Sequence, residues 1–213
     1  MLNANKILAL LDKEDYKTIK LLCKQEILEE SAKSHGGDFL VRIKAAQKML
    51  KALNDWQLGK LGAHRRKTPA GVIYQNFNNS HYGFMLYEAL PGLPLADPEK
   101  AIDIKKFIDK AEKDFSDRQE QNIDIELIKA HIKEYKALNK GRKVPAAYYD
   151  IKERRYNAQY IVDCYTILGG DIKFYQDDNC LTNAAILESE NGKAILLPVR
   201  KNNVNAAVVN QNA

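Results

Sequence analysis

The stretch from Pro145 to Arg200 constrains this chain most, because it carries the most informative order of elements. Ala146 to Lys152 reads as a strand. Asn157 to Leu168 reads as a short amphipathic helix, with Asn157 placed to cap its first turn. Gly169-Gly170 breaks it, and strands are predicted near 171–176, 183–189 and 193–200. Glu190-Asn191-Gly192 makes a good hairpin turn, because Asn-Gly adopts positive φ cheaply. A short helix beside a β meander buries its apolar stripe only by packing on the sheet, so the fold class is α+β.

Upstream the texture alternates. Leu8, Leu11, Ile19, Leu22 and Ile27 recur at roughly helical spacing, Asp15 is a candidate cap, and Gly36-Gly37 is a candidate stop. A further helix is predicted from Asp38 to about Leu53, with Phe39, Ile43, Ala46 and Leu50 on one face. The next segment, holding Trp56, Gly59, Gly62 and Arg65-Arg66-Lys67, reads as a loop. Residues 71–77 and 82–87 are rich in β-branched and aromatic side chains and flank Asn78-Asn79-Ser80, which predicts a hairpin. Residues 98–140 return to helical periodicity, through Ile104, Phe107, Ile108 and Ala111, then Ile125, Ile128, Ile132 and Tyr135. The polar stretch Ser116 to Asn122 is expected to join the two helices.

Length and charge narrow the class. At 213 residues the chain buries a sizeable core. No apolar run approaches the roughly 20 residues that span a bilayer, and no signal-peptide layout opens the chain. Cys23, Cys164 and Cys180 have neither metal nor disulfide spacing, which fits reduced thiols in a cytoplasm. The net charge of +5 is compatible with nucleic acid, and its placement says more.

The run Tyr156-Asn157-Ala158-Gln159-Tyr160-Ile161-Val162-Asp163, closed by Leu168 and followed after three strands by Leu197-Pro198-Val199-Arg200, resembles the closing half-domain of the bacterial DNA polymerase sliding clamp, the β subunit of DNA polymerase III. The match is best over residues 146–201. Pro69 to Leu95 looks like the family's first hairpin. There Tyr87-Glu88-Ala89-Leu90-Pro91 stands where the family has Thr-Asp-Gly-x-Arg-Leu. The resemblance implies one clamp-like domain over 38–201, with helices packed on antiparallel sheet and a helix-plus-strands unit used twice. Residues 1–37 become a helical extension, 98–140 a helical insertion and 202–213 a flexible tail.

Sliding clamps are not enzymes. The resemblance implies a processivity-factor-like protein that binds duplex DNA nonspecifically, or the replication machinery, with no cofactor and no metal. A family ring needs six such domains, so encirclement implies a homo-oligomer. The alternative is an interaction or inhibitor protein, from a phage or mobile element, that uses the domain as a scaffold. A contact that slides requires cations on helices rather than base readout. Arg42, Lys44, Lys48, Lys51, Arg65, Arg66 and Lys67 form one candidate cluster; Lys129, Lys133, Lys136, Lys140, Arg142 and Lys143 form another. By position, the family's partner-peptide pocket implies Ile195, Leu197, Pro198, Val199 and Arg200. Catalytic candidates are thin. His35, His64, His81 and His131 are isolated and read as surface or loop histidines, and Asp177-Asp178 reads as a turn. Tyr148, Tyr149, Tyr156 and Tyr160 read as half-buried strand and helix positions rather than a base-stacking set.

Overall fold

A computed structural model describes residues 4–142, 145–177 and 183–199. The expected tail 202–213, Lys143 and Arg200 lie outside these described residues. In chain order the elements are α1 (Ala4–Leu11), α2 (Tyr16–His35), α3 (Gly37–Lys51), α4 (Asp55–Leu61), β1 (His64–Lys67), β2 (Ile73–Asn78), β3 (Tyr82–Leu86), α5 (Ile104–Asp114), β4 (Arg118–Gln121), α6 (Ile125–Leu138), β5 (Tyr148–Ile151), β6 (Arg154–Asn157), α7 (Ala158–Leu168), β7 (Lys173–Asp177), β8 (Ala185–Ser189) and β9 (Gly192–Leu196).

Seven strands form one antiparallel sheet in the order β1-β2-β3-β9-β8-β7-β4. The predicted strands after Gly170 are neighbours in it. The sheet is two three-stranded meanders joined at their last strands, with Tyr82 opposite Leu196 and Phe84 opposite Ala194, and β4 added at the β7 edge. A helix precedes each meander, α3 before β1–β3 and α7 before β7–β9. These two helices pack on each other, with α2 flanking α3 and α6 flanking α7. Helix α5 lies against β2, β3, β8 and β9 and packs with a separate apolar cluster, so it covers the opposite face.

Covering both faces explains why all five residues of β3 are buried. Phe84 and Leu86 enter the larger core, with Phe77, Tyr156, Phe174, Ile43, Leu50, Ile161 and Leu168. The Phe77 and Phe84 rings stack at 5.0 Å, and Tyr156 meets Phe174 edge-on at 5.8 Å. Met85 points the other way, to Tyr74, Ile104, Ile108, Ile186 and Ile195 under α5.

Local chemistry sets the boundaries. The Asn157 side chain accepts from the Gln159 amide at 3.0 Å and starts α7. Asp15 accepts from the Thr18 amide at 3.1 Å and caps α2. Gly192 opens β9 at φ 151°, and a Cβ there would lie 2.3 Å from the Met85 carbonyl, so the β8–β9 turn requires glycine.

Three expectations change. The segment expected as a loop before Pro69 contains α4, closed by a capping box in which the Asn54 side chain accepts from the Gln57 amide and Gln57 returns the bond. It also contains β1, so Arg65, Arg66 and Lys67 sit on an edge strand. The expected joint at Ser116 to Asn122 holds β4, the other edge, paired to β7 from Arg118 opposite Asp177 to Gln121 opposite Phe174. The strand predicted at Ala146 to Lys152 is half of a hairpin, β5–β6, which reaches Val199 through a bridge at Arg155.

Candidate nucleic-acid interface

Helix α3 carries Lys44, Lys48 and Lys51 on the side away from its core face, since at about 100° per residue they lie opposite Phe39, Ile43, Ala46 and Leu50. All three are exposed. On α6, Lys129, Lys133 and Lys136 keep the same four-and-three spacing, and Lys140 continues it just past the helix end. These too are exposed, turned from the buried Ile128, His131 and Ile132. Both helices belong to the layer α2-α3-α7-α6 on one face of the sheet. Lys129 has Glu126 at 2.7 Å. Among the described residues, Lys44, Lys48, Lys51, Lys133, Lys136 and Lys140 make no ion pair.

Two arginines of the first sequence cluster, Arg42 and Arg66, are spent inside the fold. Arg42 is 6% exposed, and its Nε donates to the Ile167 carbonyl at 2.9 Å, at the end of α7. Its guanidinium lies 3.8 Å from Glu88 and over the Phe39 ring. Burial lowers its pKa, and Glu88 opposes the shift. Arg42 therefore ties α3 to α7 and does not join the lysine row. Arg66 donates to the Ala101 carbonyl at 3.0 Å and lies 3.9 Å from Asp103. Arg65 and Lys67 are exposed on the β1 edge, and Arg142 is exposed beyond α6.

The residues of the expected peptide pocket separate. Ile195 and Leu197 line a cleft of about 220 Å³ on the α5 face, with Ile104 and Phe107 of α5, Leu61, Ile102, and Asn78 and Ser80 to Gly83 around the β2–β3 turn. Pro198 and Val199 do not line it, and the Val199 amide donates to the Arg155 carbonyl at 2.7 Å. No sequence periodicity marks Leu61, Ile102 or Asn78 as neighbours of Leu197; the Leu197 amide donating to the His81 carbonyl at 2.9 Å brings it to the β2–β3 turn, and the Ile102 amide donating to the Lys60 carbonyl at 2.9 Å joins α4 to the segment before α5.

The remaining candidates are structural. His131, expected at the surface, is buried on α6, with Nε2 3.0 Å from the Tyr148 carbonyl. His64 is half-buried and its pKa is lowered, chiefly by burial. Asp177, expected in a turn, ends β7 buried and accepts from the Ser116 hydroxyl and the Asn183 side chain. Asp178 lies outside the described residues. Asp163, part of the Asn-x-x-Tyr-x-x-Asp pattern, accepts from the Tyr82 hydroxyl at 2.7 Å and from Gln159 at 2.9 Å, locking α7 to β3. Tyr149 and Tyr156 are fully buried, and Tyr160 stacks on His81 and meets Tyr82 at a tilt.

Among the described residues, no group of His, Cys, Asp and Glu gathers as a metal site, and no helix is long and apolar enough to cross a membrane. Comparison with protein-family models, curated proteins and solved structures returned no match.

Proposed function

We propose that this chain is a non-catalytic, clamp-like protein that holds duplex DNA through the lysine rows of α3 and α6. The observation that carries this reading is the pair of exposed rows on one helix layer, with six of their seven lysines free of any ion pair among the described residues. From Lys44 to Lys51 a row spans about 10 Å, and from Lys129 to Lys140 about 16 Å. A DNA strand presents a phosphate about every 3.4 Å along its axis, so the rows match several phosphates without addressing a base. The repeated helix-plus-meander unit, with α3 and α7 side by side on one face, supports the likeness to a sliding-clamp domain.

A second reading has its own support. Helix α7 lies between α3 and α6 yet carries no Lys or Arg, and its one charge, Asp163, is engaged by Tyr82 and Gln159. A cation-free central helix favours an interaction or inhibitor protein, of phage or mobile-element type, that uses the domain as a scaffold. Fluorescence anisotropy with two short duplexes of unrelated sequence separates the readings. DNA holding predicts equal affinity for both and loss of binding on changing Lys129, Lys133 and Lys136 to Glu. Light scattering then distinguishes a stable hexamer, expected for encirclement, from a monomer, expected for a scaffold.

A further inference from the structure

The cleft on the α5 face is separate from the lysine rows, and its chemistry is specific. Ile102, Ile104, Phe107, Ile195 and Leu197 make it mainly apolar, and it opens between the half-exposed side chains of Phe107 and Leu197. Gly83 sits in its lining, where a Cβ would lie 2.7 Å from Asn78 Cβ and 2.8 Å from Ile104 Cδ1. Glycine thus lets Asn78 and Ile104 close in on the strand.

Asn78 is the anomaly. It is 5% exposed, its Oδ1 accepts from the Ser80 amide at 3.2 Å, and its Nδ2 has no partner among the described residues. The Ser80 bond marks Oδ1 as the engaged atom and Nδ2 as the unused donor. Nδ2 is sealed from solvent, so a ligand acceptor reaches it by a turn of the amide about χ2, a broad torsion in Asn, that exchanges the Ser80 bond for one to the ligand. A buried donor without an acceptor is unfavourable, and an acceptor delivered by a ligand removes that cost.

We propose that this cleft binds a small, neutral, mainly apolar molecule that places one carbonyl oxygen on Asn78 Nδ2. Neutrality is favoured by the lining, which has no Lys, Arg, Asp or Glu to compensate a buried charge and whose one histidine, His81, is exposed to solvent. At interior packing density the volume holds about ten non-hydrogen atoms. A discrete molecule is favoured over an extended peptide by the sheet order. β3 and β9, the strands beneath the cleft, are paired on both sides, so neither offers a free backbone edge to lengthen a peptide contact.

The test uses the full chain and heteronuclear NMR, with acetanilide as probe. Propylbenzene serves as the apolar control without an acceptor, phenylacetate as the charged control, and a short extended peptide amide rich in Leu and Phe as the competing class. Acetanilide is expected to shift the amide signals of Gly83, Phe107 and Leu197 and the side-chain amide of Asn78, at least tenfold tighter than either small control. Asn78→Leu removes the donor at similar volume without burying a charge, and is expected to weaken acetanilide at least tenfold while leaving propylbenzene no weaker. Leu197→Trp, at a half-exposed position that leaves the core intact, is expected to block entry. No response to acetanilide at millimolar concentration, equal binding of propylbenzene, or tighter binding of the peptide at the same residues would each overturn the proposal.

Discussion

The two faces of the sheet differ in how far their cations are paired. On the α5 face, Lys105, Lys110, Lys193 and Arg118 are matched to acids, while Lys106 and Lys113 make no ion pair among the described residues. Lys105 meets Asp109 at 2.5 Å, Lys110 pairs with Asp114, and Lys193 lies between Glu112 at 2.6 Å and Glu188 at 2.7 Å. Arg118 closes the group on Glu188 at 2.9 Å. On the other face, six of the seven exposed lysines in the α3 and α6 rows are left to solvent, Lys129 being paired with Glu126. Charge that serves the fold is neutralised within it, and charge left over in ordered rows is available to a partner. The difference locates the candidate interface better than the net charge does.

The largest expected effect tests whether the two faces also differ in packing. Phe84 and Met85 are consecutive in β3 and point to opposite cores. Phe84→Ala removes the ring stacked on Phe77 and is expected to cost about 4 kcal/mol. Met85→Ala opens only the smaller core and is expected to cost about 2 kcal/mol. Urea unfolding of both variants measures the ratio, and equal losses would remove the distinction between the cores.

The paired face should respond to acid. Burial pushes the Glu188 carboxyl up, but hydrogen bonds from Lys193 and Arg118 outweigh it and hold the pKa below its ordinary 4.5. A depressed carboxylate contributes stability that is present above its unfolded value and lost as pH falls through the folded one. Glu188→Gln is therefore expected to cost about 1–2 kcal/mol at neutral pH. The cost should vanish well below pH 4.5, where the wild-type carboxyl is protonated too. Urea midpoints at the two pH values check this.

A smaller effect is expected from the open face. Changing Lys44, Lys48 and Lys51 to Gln should move stability by less than about 0.5 kcal/mol each, because no ion pair or buried contact is lost. Thermal melts at equal ionic strength test it, and a larger loss would mean that the row has a structural role.

Much of this organisation was legible in the chain. Phe39, Ile43, Ala46 and Leu50 mark α3 by spacing, and Asn157, Asn191 and Gly192 mark a cap and a turn by chemistry. Strands β1 and β4 were not legible. His64–Lys67 and Arg118–Gln121 carry no apolar alternation, because each is an edge whose pairing supplies the structure. The α4 capping box was readable in Asn54 and Gln57 but lay in a segment dominated by glycine and charge. Arg42 looked like its lysine neighbours, although its position three after Phe39 and four before Ala46 puts it on the apolar face. The cleft was legible only in part, since Ile195 and Leu197 came from a motif while Asn78 and Phe107 reach it through tertiary pairing.

The central claim is that the unpaired lysine rows hold DNA, and the salt dependence of duplex affinity tests it most directly. Seven lysines on phosphates predict a slope of about −6 for log affinity against log salt, the same for unrelated sequences. Replacing Lys129, Lys133 and Lys136 with Glu should halve that slope or abolish binding while leaving the fold intact. Duplex binding unaltered by the triple change, or no binding even at low salt, would contradict the account and leave the scaffold reading in its place.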